Sequence, residues 1–385
     1  MAQETAATGK SAHTGGEKPG LYIHVPFCKT KCPYCDFYSI TDLSAQGAWL
    51  HALQVEIDFY KHDFGTFETL YIGGGTPTVL SERDLDNLFR ALHAGFSFCA
   101  GAEITVEANP DDITKDKLVF LRSRGVNRLS VGVQSFDENE LRFLERRHTA
   151  AGAEKALSLV REAGFTNFGI DLMYGLPGQT GEGWLATLRK ALTFEPPHLS
   201  CYELTLEETT ALGKMKMAGQ IAPLTEDEGE KFFLRTSRFL QHHGFIHYEI
   251  SNFARSDDYC SRHNRKYWRH VPYLGLGPGA HSFQGGIRWW NYRSVDRYCG
   301  AAKSGVKPVG GSEILSSEQL RFERLFLGLR THHGVTMEDA FGTSPSEPLL
   351  SRIRASGLIT MRHNRIVPTL KGFLIADRLP LMFPD

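Results

Sequence analysis

The sequence has no apolar run approaching the roughly 18 residues that cross a bilayer, so no integral membrane segment is expected. It has no excess of either charge: 43 Lys and Arg stand against 44 Asp and Glu, a net charge of -1, and no global positive field draws it to nucleic acid. Residues 1–19 are small and polar and lack the apolar core of a signal peptide, so they read as a flexible N-terminal tail. No internal repeat at a solenoid period is visible. Seven cysteines leave no second CxxC pair beside Cys32 and Cys35; Cys99, Cys201, Cys260 and Cys299 are scattered singly, as small core residues usually are. These absences point to a cytoplasmic, soluble protein that depends on no disulfide framework.

What is present is ample core material: 385 residues, 41% hydrophobic and 23% charged. From residue 21 to about 250, β-rich runs alternate with amphipathic ones: 21–25, 69–73, 103–107, 128–133, 167–173 and 198–204. Between them lie helical patterns. Ser81 with Asp84 reads as a capping signal ahead of the apolar face of Leu85, Leu88, Phe89 and Leu92, and a later helix closes at Gly164. Six strands joined by helices imply right-handed crossovers and a parallel sheet curled into a partial (β/α)6 barrel, with the active site beyond the C-terminal strand ends. The Gly- and Pro-rich stretch 271–311 breaks the alternation. Residues 316–330 open a helical tail in which "LITMRHNRIVPT" reads as a hairpin. The expected division is a tail over 1–19, a barrel over 20–255, a linking segment over 256–311, and a small, mostly helical, winged-helix-like domain over 312–385. That last domain reads as a packing module rather than a nucleic-acid binder.

The chemistry-bearing residues begin in the loop after the first strand, where Cys28, Cys32 and Cys35 form CxxxCxxC. Three thiolates suit iron or zinc, but a structural zinc site needs a fourth ligand that the chain does not pair with them. A [4Fe-4S] cluster held by three cysteines instead leaves one iron open. With Tyr34 just before the last Cys, the motif resembles the signature of the radical S-adenosylmethionine (SAM) superfamily, in which the open iron takes the amino and carboxylate groups of SAM. The segment "GGGTPT" lacks the lysine and spacing of a phosphate loop; the resemblance makes Gly74, Gly75 and Thr76 SAM contacts. Glu107, Gln134 and Asp171 sit in or at the ends of successive strands, where polar groups either face the barrel mouth or find partners. Arg146 either reaches the SAM carboxylate or is a solvated helix residue.

The ordered blocks "YIHVPFC", "GGGTPT", "VEANP", "GVQSF" and "DLMYGLPGQT" are similar to those of oxygen-independent coproporphyrinogen III oxidases, over roughly residues 20–290. By that resemblance Tyr22 and Tyr34 also line the cluster and SAM pocket. Those oxidases carry a further cysteine where this chain has Phe37. The "CPYCDFYS" ending and "HNRKYW" (His263 to Trp268) resemble instead the HemW-type heme chaperones. The resemblance makes heme a cofactor with His263 as its ligand, Cys260 as an alternative and His281 as a weaker one. It also implies a hemoprotein acceptor, such as a respiratory enzyme, reached by transient contact if that acceptor is membrane-bound. The bland alternative for "HNRKYW" is a polar loop whose aromatics fill a core gap.

Overall fold

The computed structural model describes residues 17–342 and 347–383, so most of the tail expected over 1–19 lies outside the described residues. Six parallel strands form the frame: β1 (Gly20–Val25), β2 (Phe67–Gly74), β3 (Phe98–Ala108), β4 (Arg128–Gln134), β5 (Phe168–Tyr174) and β6 (His198–Glu203), each paired to the next. The helices between them include α1 (Gln46–Tyr60), α2 (Glu82–Gly95), α3 (Lys115–Ser123), α4 (Glu138–Phe143), α5 (Ala150–Glu162) and α6 (Gly181–Leu192). Ser81 accepts from Asp84 N–H at the start of α2, as its sequence signal required, and Gly164 takes a left-handed φ of 78° just past α5.

Strand alternation decides which face does what. Leu21, Ile23, Leu70, Ile72, Leu129, Val131, Ile170 and Leu199 point outward and share one core with Leu53, Leu88, Leu157 and Leu188 of the helices. The intervening positions, among them Tyr71, Glu107, Arg128, Ser130, Asp171 and Ser200, are polar and line a lumen. Burying them on the helix side would cost several kcal/mol for each unpaired group, so the pattern fixes the register.

The sheet does not stop at six strands. Beyond helices α7 (Ala211–Met217) and α8 (Glu226–His242), the short strand β8 (Asn252–Ala254) adds antiparallel to β6, and β7 (Ile246–Glu249) pairs antiparallel with β8 at the edge. On the other flank β9 (Tyr273–Leu276) pairs parallel with β1, and β10 (His281–Gln284), β11 (Ile287–Asn291) and β12 (Val309–Ile314) follow antiparallel. The result is an open, twelve-stranded sheet in the order β12-β11-β10-β9-β1-β2-β3-β4-β5-β6-β8-β7. Helix α9 (Arg262–Trp268) precedes β9, and α10 (Val295–Lys303) packs on α1.

Helix α11 (Ser317–Gly328), opened by a capping box at Ser316 and Gln319, begins a second core with Leu325, Leu329, Ile353, Ile359 and Ile366. The expected hairpin is present as β14 (Ile359–Arg362) and β15 (Arg365–Pro368), and β13 (Val335–Thr336) pairs with it. This unit is tied to the sheet by His332 N–H donating to the Tyr248 carbonyl at 3.0 Å and by Glu323, which bonds both His270 and Arg288.

Candidate functional site

The loop leaving β1 is closed at its base, where Cys28 N–H donates to the Ile40 carbonyl at 3.0 Å and Ile40 N–H to that of Pro26 at 2.7 Å. Cys28, Cys32 and Cys35 hang from this closed loop as free, half-buried thiols. The Thr76 hydroxyl donates to Cys28 Sγ at 3.5 Å and Arg146 Nη1 to Cys32 Sγ at 3.4 Å. Burial pushes the Cys35 thiol up from its ordinary range, and a bound iron would hold it as thiolate instead. Behind the loop, the buried Asp112 pairs with Lys29 at 2.7 Å and with Arg147 at 3.0 Å, fixing the loop to the turn after β3. Three soft donors with hydrogen bonds to two of the sulfurs fit a cluster that keeps one iron free.

The glycines of "GGGTPT" have an internal reason besides ligand approach. Gly75 and Thr76 N–H donate to the Val25 and Phe27 carbonyls, both at 2.8 Å, and a Cβ on Gly75 would lie 2.7 Å from the Phe27 oxygen. Gly74 takes φ 107°, and a Cβ there would enter the His24 ring at 2.5 Å. The run is thus the seam that locks the cysteine loop to the end of β2.

The polar strand-end residues converge. Glu107 accepts from Tyr71 OH at 2.7 Å and from Gly74 N–H at 3.0 Å, and burial pushes its carboxyl up to about 7 against those bonds. Asp171 accepts from the Ser130 hydroxyl at 3.0 Å and is likewise raised by burial. Gln134 sits at a register break between β4 and β5 with φ 68°, a conformation that costs a non-glycine residue on the order of 1 kcal/mol or more, and accepts from Tyr202 OH. Arg146 is not on a helix face: it follows α4 in a loop, with Nη2 donating to the Gly132 carbonyl at 2.6 Å and Nη1 lying 3.4 Å from Tyr34 OH. Its Nε is buried without a partner, which leaves a donor for a carboxylate. Together with Cys28, Cys32, Cys35, Tyr34, Gly74, Gly75 and Thr76, these residues line one cavity of about 450 Å³. A buried guanidinium, two carboxyls and a strained amide suit the charged amino and carboxylate ends and hydroxyl groups of SAM.

Tyr22 stands apart from that set. It lines a lateral cavity of about 720 Å³ that shares Phe37, Tyr71, Gly74, Glu107 and Asn264 with the lumen, and its hydroxyl bonds His24 Nδ1 at 3.0 Å. Tyr38, Tyr267, Tyr273, His263 and His281 complete much of its wall, a surface rich in flat rings. Phe37, 68% exposed, stands where the two cavities meet.

His263 is brought to this cavity with both ring nitrogens engaged. Nδ1 lies 2.8 Å from the Thr69 hydroxyl and Nε2 2.9 Å from that of Tyr267, while the Glu103 carboxylate accepts from the backbone N–H of Arg262 and His263 at the start of α9. Burial drives its pKa down to about 3, so the imidazole is neutral, the form a metal takes. Cys260 is buried against Ser256 and Asp257, with its thiol pushed up to about 12. His281 is exposed at the cavity edge, stacked on Trp290. The sequence reading passed over Tyr71, Arg128, His198 and Tyr202. Their signal was the even spacing of polar residues within otherwise apolar strands.

Two families match: the Radical SAM superfamily over residues 22–191 and the HemN C-terminal domain over residues 315–375. The chain is 33% identical to the heme chaperone HemW of Mycobacterium tuberculosis over 94% of both chains. It is 36% identical to that of Bacillus subtilis over 93% of this chain and 97% of the other. Among solved structures it is similar to the radical SAM enzyme coproporphyrinogen III oxidase (HemN) from Escherichia coli. That match has a TM-score of 0.81 at 27% identity and covers 95% of this chain and 90% of the other.

Proposed function

The chain belongs to the radical SAM superfamily and, within it, to the HemW heme chaperone family, and from that premise we propose that it binds heme and hands it to a hemoprotein acceptor. The observation that carries this reading is the ring-lined lateral cavity, which "HNRKYW" helps to wall, beside an intact cysteine loop. Cys28, Cys32 and Cys35 would hold the [4Fe-4S] cluster. SAM would lie against Gly74, Gly75, Thr76, Glu107, Gln134, Arg146 and Asp171, with Tyr34 lining the same lumen and Tyr22 the lateral cavity. When bound, cluster and SAM supply reductive cleavage of a sulfonium; the lumen's own residues bind, orient and exclude water.

Heme in the lateral cavity meets Tyr38, Tyr267 and Tyr273 as flat partners. His263 already has the neutral imidazole an axial ligand requires, and its Nε2 becomes free when Tyr267 lets go. The acceptor is a hemoprotein such as a respiratory enzyme, met in the cytoplasm or at the surface of a membrane. Among the described residues no helix is long and apolar enough to cross one. Residues 312–385 serve as a packing module, docked through Glu323, His332 and Arg330.

A second reading, anaerobic oxidative decarboxylation of coproporphyrinogen III, is favoured by the likeness to the oxidase structure. It is disfavoured by Phe37 in place of that family's further cysteine. The test is one anaerobic experiment on cluster-reconstituted protein: heme binding followed by its Soret band, and vinyl product followed with SAM and a reductant. Heme binding without vinyl product is the expected result. Vinyl product without heme binding would make the protein an oxidase.

A further inference from the structure

The floor of the lumen holds a cation that the site described above does not use. Arg128, first residue of β4, is only 2% exposed, and its Nε has no hydrogen-bond partner among the described residues. Arginine keeps its charge at any protein pH, so burial cannot neutralise it, and an unpaired buried charge is among the most costly arrangements in a fold. Glu107 and Asp171 act on it through space, but burial raises both carboxyls and so weakens that compensation.

A second unpaired donor faces the same spot. His198, on β6, is buried, and its Nε2 lies 2.7 Å from Tyr248 OH, which accepts from Ser261 N–H at 3.2 Å. Tyr248 OH has no other acceptor among the described residues, so it donates a hydrogen bond to Nε2, and we assign the imidazole proton to Nδ1, which has no partner among those residues. Between the two lies Gly169 of β5. A Cβ there would clash with His198 Nδ1 at 2.9 Å and lie 3.7 Å from an Arg128 guanidinium nitrogen, so the bare glycine lets the imidazole and the guanidinium pack side by side over it. Thr105, paired in register with Arg128, adds a buried hydroxyl that also lacks a partner. Arg128 and His198 both line the lumen cavity of about 450 Å³, so the pair faces open space on that side.

We propose that Arg128 and His198, side by side over Gly169, form a receptor for a carboxylate entering from the lumen at the barrel floor. A water would satisfy the N–H groups but not the charge; a planar carboxylate does both, in the geometry a guanidinium prefers. The carboxylate has two sources. One is a propionate arm of a tetrapyrrole seated in the lateral cavity, which joins the lumen at Tyr71 and Asn264; this source rests on the heme reading. The other is a free small carboxylate, which does not.

The test uses the full chain, its Arg128→Met variant and Gly169→Ala, which keeps the cation but pushes the His198 imidazole out of its place. Trifluoroacetate is titrated at fixed ionic strength and followed by fluorine NMR, and heme is titrated against heme dimethyl ester. Loss in both variants of a roughly ten-fold or greater preference for heme over its ester assigns the site to the propionate. An unchanged preference, with trifluoroacetate line broadening seen in the parent and lost in both variants, assigns it to a free carboxylate. If the parent chain shows neither the preference nor the broadening, or both survive both substitutions, the receptor does not exist; the parent-chain arm decides this even where a variant fails to fold.

Discussion

At Gly75 the backbone of the glycine run and that of the cysteine loop touch, and no side chain can give way there. A Cβ would meet two carbonyl oxygens, at 2.7 and 2.8 Å. Gly75→Ala is therefore expected to cost about 1–3 kcal/mol and to lower cluster incorporation, read as iron per chain after reconstitution. Full iron loading at an unchanged melting temperature would contradict this account of the seam. His263 and Tyr267 make an opposed pair. Replacing His263 by Ala leaves the Thr69 and Tyr267 hydroxyls unmet in a buried site, so stability drops by about 1–3 kcal/mol and heme binding falls. Tyr267→Phe removes one bond of about 1 kcal/mol that heme must break, so affinity should rise roughly five-fold. Weaker binding by the Phe variant would show that the hydroxyl acts on heme rather than restraining the ligand.

Helix α1 is fastened to the sheet extension by one buried acid. Glu56 accepts from Gly277 N–H at 2.9 Å, from Asn291 Nδ2 at 2.6 Å and from Tyr298 OH at 2.5 Å, and burial pushes its pKa from the ordinary 4.5 up to about 7. Between those values the unfolded chain has released the proton and the folded chain retains it. Stability due to this group is thus complete below pH 4.5, falls as pH rises toward 7, and levels off above. At about 1.4 kcal/mol per unit the loss is on the order of 3 kcal/mol. Chemical denaturation at pH 5 and pH 8 should show that slope in the parent chain, and Glu56→Gln should flatten it; a slope unchanged in the variant would assign it elsewhere.

The same scale explains what composition could and could not reveal of the elements. The six frame strands were legible because each has six or more residues and is followed by a helix, and because all but β6 carry several aliphatic residues. Strands β7 to β11 were not. They have three to five residues, glycine interrupts or adjoins several of them, and they are placed by pairing with β1 and β6 rather than by a crossover helix of their own. The hairpin β14–β15 was legible from its polar turn, where His363 adopts φ 54°.

For the whole molecule, the cluster loop and the strand-end carboxyls could be placed from sequence because a parallel sheet delivers its strand ends to one mouth. Two properties of the lumen could not. Arg146 could be named as a candidate SAM contact, but not its entry from a loop rather than a helix, and Arg128 looked like a strand start and is a buried cation beside His198 over Gly169. Both depend on tertiary closure, which brings together residues 114 positions apart in the case of Arg146 and Cys32. The lateral cavity is also a tertiary product, built where β9 joins β1 beside α9, and the proposed heme site rests on it.

Heme transfer tests that claim most directly. The chain, with its cluster reconstituted, is loaded with heme under anaerobic conditions, freed of excess heme by gel filtration and mixed with an apo-form of a respiratory hemoprotein. The account predicts that the Soret band moves from the position of this protein to that of the acceptor. If the chain retains no heme through gel filtration, or keeps it indefinitely with apo-acceptor present, the account of a heme-delivering protein is contradicted.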